Sequence, residues 1–219
     1  MSLLPCVEVG PREEAEGAVV WLHGLGASGH DFEDVVPLLR LPDVRFVFPH
    51  APVHAVTING GLLMPAWYDI VHLGGGGERP EHVRESAKHV EALLGREQER
   101  GVPAARTVLA GFSQGGAIAL FAGLRYAQPL LGIMVLSGYE VLPDTLEDEA
   151  TEANRATPAL FCHGTFDPMV PVERAREAYR RCAALGNRAE WHEFPMEHQV
   201  SMEEIEVVRD WLHARFDES

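Results

Sequence analysis

Residues 107–122 constrain this chain most: an apolar run, Thr107-Val108-Leu109-Ala110, then Gly111-Phe112-Ser113-Gln114-Gly115, then a second apolar run, Gly116-Ala117-Ile118-Ala119-Leu120-Phe121-Ala122. The first run reads as a short buried strand and the second as a buried helix, so Ser113 falls on the sharp turn between them. The flanking glycines permit the turn, and the start of the helix presents unpaired N–H groups to developing negative charge. A serine nucleophile belongs at such a place; the plainer alternative is a serine that only caps a core helix.

The same rhythm recurs along the chain. Apolar runs at 18–22, 45–48, 132–136, 159–162 and 190–194 alternate with helix-compatible segments at 31–40, 80–100, 114–127, 173–185 and 201–216. Short runs without polar alternation suit strands buried on both faces, which predicts an α/β fold with a mostly parallel central sheet flanked by helices on both faces. Pro80 fits a first helical turn, Gly186 follows a helix end, and Ser201 with Glu204 has capping-box spacing. Residues 6–9 add an edge strand. With 219 residues and no Pro/Ser-rich linker, a single domain over 1–219 is expected.

Two long connections, 49–79 and 137–157, interrupt the pattern, and the first is an insertion placed near the site, since function in such sheets gathers beyond the carboxyl ends of the strands. It carries the apolar stretch Gly60-Gly61-Leu62-Leu63-Met64-Pro65-Ala66-Trp67-Tyr68. Leu63, Met64 and Trp67, with Phe166 from a later loop, are candidate walls of a substrate groove; a loop simply packed on the domain is the alternative. Gly74-Gly75-Gly76-Gly77 reads as a flexible link.

Lys+Arg 18 against Asp+Glu 33 gives a formal charge of −15. Such a surface repels phosphate backbones and anionic lipid headgroups, which argues against nucleic-acid partners and electrostatic membrane docking. No stretch has the length and apolarity of a membrane span, and the first residues lack the features of a signal peptide. Cys6, Cys162 and Cys182 have neither metal-like nor redox-like spacing, so free thiols in a reducing cytoplasm are expected.

A serine hydroxyl becomes nucleophilic only when a base takes its proton and an acid orients that base, and in a sheet of this kind the chain order is Ser, acid, His. Asp167 lies just beyond the run 159–162, after His163-Gly164-Thr165-Phe166. Asp144, Glu147, Asp148 and Glu149 sit instead in a charge-dense loop that reads as solvated surface. His198 follows the last apolar run in a loop, whereas His192 interrupts that run and His213 lies deep in the final helix segment. The catalytic candidates are therefore Ser113, Asp167 and His198, with His163 a buttress of its strand end. The oxyanion of a tetrahedral intermediate requires N–H donors, for which the candidates are the main chain of Gln114 and of Leu25 in Trp21-Leu22-His23-Gly24-Leu25-Gly26.

Gly24-Leu25-Gly26-Ala27-Ser28-Gly29 also matches G-x-G-x-x-G, so a dinucleotide-binding or non-catalytic α/β module is the competing reading. That frame expects a carboxylate at the end of the next strand for a ribose hydroxyl, and the chain has Phe46-Val47-Phe48-Pro49-His50 there. No metal is expected, because the eleven histidines are scattered without ligand spacing.

With Leu22-His23-Gly24-Leu25-Gly26, Gly111-Phe112-Ser113-Gln114-Gly115-Gly116, His163-Gly164, Asp167-Pro168 and His198 in place, the chain resembles the bacterial carboxylesterase and acyl-protein thioesterase family of α/β-hydrolases. Pro49-His50-Ala51-Pro52 and Met64-Pro65-Ala66-Trp67-Tyr68-Asp69-Ile70 extend the likeness through the insertion. The resemblance implies the α/β-hydrolase fold, Ser113 as nucleophile with Asp167 and His198, oxyanion amides at Leu25 and Gln114, and no cofactor. It also implies hydrolysis of esters or thioesters and a homodimer; the apolar insertion and the absence of a large lid domain point to short to medium acyl chains, with longer acyl chains on protein or lysophospholipid as the alternative. Ala27-Ser28 and Gln199 depart from the residues often found at those positions.

Overall fold

The computed structural model describes residues 3–72 and 76–217. In chain order the strands are β1 Cys6–Val9, β2 Gly17–Leu22, β3 Val44–Pro49, β4 Val53–Val56, β5 Leu62–Pro65, β6 Thr107–Phe112, β7 Gly132–Leu136, β8 Ala159–Gly164 and β9 Ala189–Phe194. The helices are α1 Val36–Leu39, α2 Pro80–Glu99, α3 Gln114–Arg125, α4 Leu146–Glu149, α5 Val172–Ala184 and α6 Met202–Asp217. Seven strands form one sheet in the order β1-β3-β2-β6-β7-β8-β9. Within this sheet, among the described residues, only the β1–β3 pair is antiparallel.

Burial explains why unbroken apolar runs became strands. Every residue of β2, β3, β7 and β8 is buried, and successive side chains enter opposite layers. Val20 and Leu22 join the core beneath α2, α3 and α5, while Val19 and Trp21 join the layer under α1 and α6. Helices thus cover both faces. α3 is buried from Gln114 to Leu124, as an apolar helix lying between sheet and α2 must be.

Three expectations change. The helix over 31–40 is a 3-10 turn, Glu33–Val35, followed by the short α1, which stops at Arg40 in a left-handed conformation (φ 57°). The insertion is not irregular: β4 and β5 form an antiparallel hairpin, closed through Gly60 and Gly61 at φ 68° and 80°. At 201–204 one half of the capping box forms, with the Glu204 N–H donating to Ser201 Oγ at 3.1 Å; the Glu204 side chain is fully buried instead of returning to the helix start. Within 137–157, Asn154 ties the connection down by donating to Tyr126 O and Gln128 O and accepting from the Leu130 N–H. Gly74 and Gly75 of the glycine run lie outside the described residues. Among the described residues, no helix is long and apolar enough to cross a membrane.

Candidate active site

Ser113 stands between β6 and α3 at φ 55°, ψ −119°, a conformation that a non-glycine residue holds only when its surroundings impose it. Two close approaches impose it. A Cβ on Gly111 would lie 2.2 Å from Gly115 O, and one on Gly115 would lie 2.4 Å from Leu22 O. The Ser113 N–H is anchored on Leu136 O of β7 at 2.8 Å.

His198 Nε2 is 2.8 Å from Ser113 Oγ, and His198 Nδ1 is 2.6 Å from Asp167 Oδ2. One imidazole therefore bridges the hydroxyl and the carboxylate, whose residues lie on loops after β6, β8 and β9. The other Asp167 oxygen accepts the N–H groups of Met169 and Val170, each at 2.8 Å. Burial alone would raise the Asp167 carboxyl, but the bonds from His198, Val170 and Met169 outweigh it and hold the group below the ordinary carboxylate range. Buried His163 donates through Nε2 to Val170 O at 2.9 Å, which places it behind the acid as a buttress. Burial lowers its pKa and so favours the neutral ring.

The N–H groups of Leu25 and Gln114 have no hydrogen-bond partner among the described residues, and both residues line the cavity that holds Ser113. Gln114 also acts through its side chain, a role its main-chain assignment did not reveal. Oε1 accepts the Trp67 N–H at 2.8 Å and Nε2 donates to Tyr68 O at 2.7 Å, which fastens the insertion to the turn carrying Ser113. His23 supports the facing loop: Nε2 accepts the Ala51 N–H at 3.0 Å and Nδ1 donates to Gly24 O at 2.7 Å. That pattern requires a neutral ring, and burial lowers the His23 pKa accordingly. The Phe112 ring lies 4.9 Å from the His198 ring and 6.0 Å from that of Phe32, a wall of carbon beside the imidazole.

The cavity of about 440 Å³ is walled by Leu25, Phe32, Ile58, Ile70, Tyr139, Met169 and Val170, with Ser113 and His198 at its polar end. None of the four groove candidates lines it. Leu63 and Phe166 are 69% and 67% exposed, and Trp67 is wholly buried, its Nε1 donating to His23 O. The half-buried Met64 packs at Gly26, with Sδ 3.7 Å from where a Cβ there would stand. The insertion does furnish wall residues, but they are Ile58 and Asn59 in the turn between β4 and β5, and Ile70 and His72 after β5. Apolarity in the sequence did not separate a side chain facing the cavity from one facing the core or solvent.

In the glycine loop, the Gly26 N–H donates to Pro65 O and the Gly29 N–H to His50 Nδ1. Two donors that a pyrophosphate would use are thus engaged within the protein. Among the described residues, no group of three His, Cys, Asp or Glu side chains is placed to hold a metal ion.

The family model described as Phospholipase/Carboxylesterase matches residues 5–215. An acyl-protein thioesterase 1 from Gibberella zeae is 38% identical over 210 residues, covering 90% of this chain and 89% of that protein. An acyl-protein thioesterase 1 from Yarrowia lipolytica is 34% identical over 228 aligned positions, covering 100% of both. The crystal structure of SOBER1 from Arabidopsis thaliana superposes with a TM-score of 0.86 at 31% identity, covering 91% of this chain and 98% of that one.

Proposed function

The chain belongs to the phospholipase/carboxylesterase family of α/β-hydrolases, a serine hydrolase of carboxylic esters and thioesters, and from that premise we propose that Ser113, His198 and Asp167 are its catalytic residues. Ser113 Oγ attacks the acyl carbonyl while His198 Nε2 takes its proton. The carboxylate of Asp167 keeps Nδ1 protonated and stabilises the imidazolium. The N–H groups of Leu25 and Gln114 receive the oxyanion. The alcohol or thiol departs with the proton from His198, and water, activated by the same imidazole, releases the acid from Ser113. The observation that carries this reading is the single imidazole within hydrogen-bond distance of both partners.

The acyl group occupies the cavity beside Ser113, and its volume of about 440 Å³ supports short to medium chains. Acylated protein is the second substrate class, favoured by the likeness to the two fungal acyl-protein thioesterases. We also read residues 1–219 as one catalytic domain. Free thiols at Cys6, Cys162 and Cys182 support a cytoplasmic setting, and a homodimer is to be checked by light scattering.

A fluorophosphonate probe should label the protein stoichiometrically at Ser113, and Ser113→Ala should abolish labelling. Ser113→Ala and His198→Ala should each lower kcat for a p-nitrophenyl ester by about 10⁴-fold or more with unchanged circular dichroism. A folded wild type that resists the probe would refute the assignment, and a chain-length series of esters and thioesters tests the substrate range.

A further inference from the structure

Two loops must meet for the site to form, the one after β8 bearing Asp167 and the one after β9 bearing His198. They meet tightly. A Cβ on Gly164 would lie 2.4 Å from Met196 O and 2.5 Å from Glu197 O. The Thr165 N–H donates to Phe194 O at 2.8 Å and the Phe166 N–H to Met196 O at 3.1 Å. The His198 loop then runs into α6, whose first turn is fixed by Ser201: its hydroxyl accepts from the Glu204 N–H and its carbonyl from the Ile205 N–H at 3.0 Å.

On that first turn the Glu204 side chain is 0% exposed, and neither carboxyl oxygen has a hydrogen-bond partner among the described residues. The proposed triad does not use it. Cys162 of β8 shares a core layer with Ile205 and Val208 of α6; burial, then the charges of Glu204 and of Glu190 on β9, push its thiol up, which makes Cys162 the titratable group facing Glu204. A buried carboxyl of this kind is costly when charged and tolerable when neutral.

We infer that Glu204 is a positioning residue, which seats the first turn of α6 against β8 and thereby holds His198 in line between Ser113 and Asp167. The inference rests on the triad proposed above. Burial pushes the Glu204 carboxyl up to about 8, offset in part by the Ser201 contact. A raised native pKa means that the group favours the fold fully below the ordinary carboxyl range, and that this contribution is lost as pH rises through about 8. Among the described residues no cation pairs with Glu204, so a charge created there is uncompensated and favours release of the turn from the sheet.

The test is the pH profile of kcat for a p-nitrophenyl ester in wild type and Glu204→Gln, which keeps the shape without the charge. Wild-type kcat should fall with a midpoint near 8 and KM little changed. Glu204→Gln should hold kcat within about twofold across that range and gain Tm over wild type as pH rises. The same alkaline loss in both proteins, or none in wild type, would overturn the inference. Glu204→Met, uncharged and of similar length, is the second variant with the same expectation. Should neither fold, amide exchange at 202–206 in wild type replaces them: protection falling between about pH 7 and 9 beyond base catalysis supports the inference, and unchanged protection overturns it. Fluorophosphonate labelling of wild type at neutral pH separates the failures. An unlabelled protein refutes the triad, whereas a labelled one with unaltered profiles refutes the role of Glu204 alone.

Discussion

Asp167 illustrates how a single side chain is held to a charge state by its neighbours. Its two main-chain donors and His198 favour the carboxylate against the effect of burial, so Asp167→Asn should keep the fold but present the wrong tautomer of His198. We expect kcat to fall by about 10³- to 10⁴-fold with little change in KM. The lowered native pKa also sets a stability signature. The contribution is present above the ordinary carboxyl pKa of about 4 and disappears as pH falls through the native value, so the Tm advantage of wild type over Asp167→Asn should shrink in acid. Ser113, Asp167 and His198 could be nominated together because each follows a recognisable strand in the required order, and their side chains do meet in hydrogen-bond contact. Trp67, by contrast, was misplaced in the groove because its indole could be assigned to core only once the bond to His23 O was seen.

Among elements, β3 and α2 are joined by a buried ion pair that no local pattern announces. Arg45 Nε donates to Glu97 Oε2 at 2.7 Å across a separation of 52 residues, with the two side chains 1% and 0% exposed. Arg45 also donates to Pro11 O and Arg12 O, while Arg96 and Arg100 reach the other Glu97 oxygen. Glu97→Gln should cost about 3–5 kcal/mol, read as a loss of Tm, because the arginine remains buried without its counter-charge. The strands themselves were readable, since burial on both faces leaves continuous apolar runs. The β4–β5 hairpin was not: it is a separate two-stranded sheet, Val53, Leu62 and Leu63 remain exposed, and its strands are short and meet prolines at 52 and 65. The segment 31–40 ends at Arg40 as its composition suggested, but its first half is the 3-10 turn Glu33–Val35 and only Val36–Leu39 is α-helical.

For the whole molecule, the excess of acidic residues, −15 in formal charge, bears on which acyl carriers reach the cavity, and Asp31 stands on its lining. Polyanionic thioesters such as acyl-coenzyme A should therefore be disfavoured at low salt, with kcat/KM rising several-fold between about 0.02 and 0.3 M salt, while a neutral p-nitrophenyl ester of the same chain changes little. Equal salt responses would dissociate the global charge from substrate choice. The bonds from the Gln114 side chain to Trp67 and Tyr68 have another implication. In the proposed mechanism the amide offered to the oxyanion and the strap fastened by these bonds hang from one residue, so specificity and reactivity would not be separate modules in this enzyme. A transplanted loop from a relative would have to arrive with main-chain atoms in the same register, or it would detune the chemistry it was meant only to redirect.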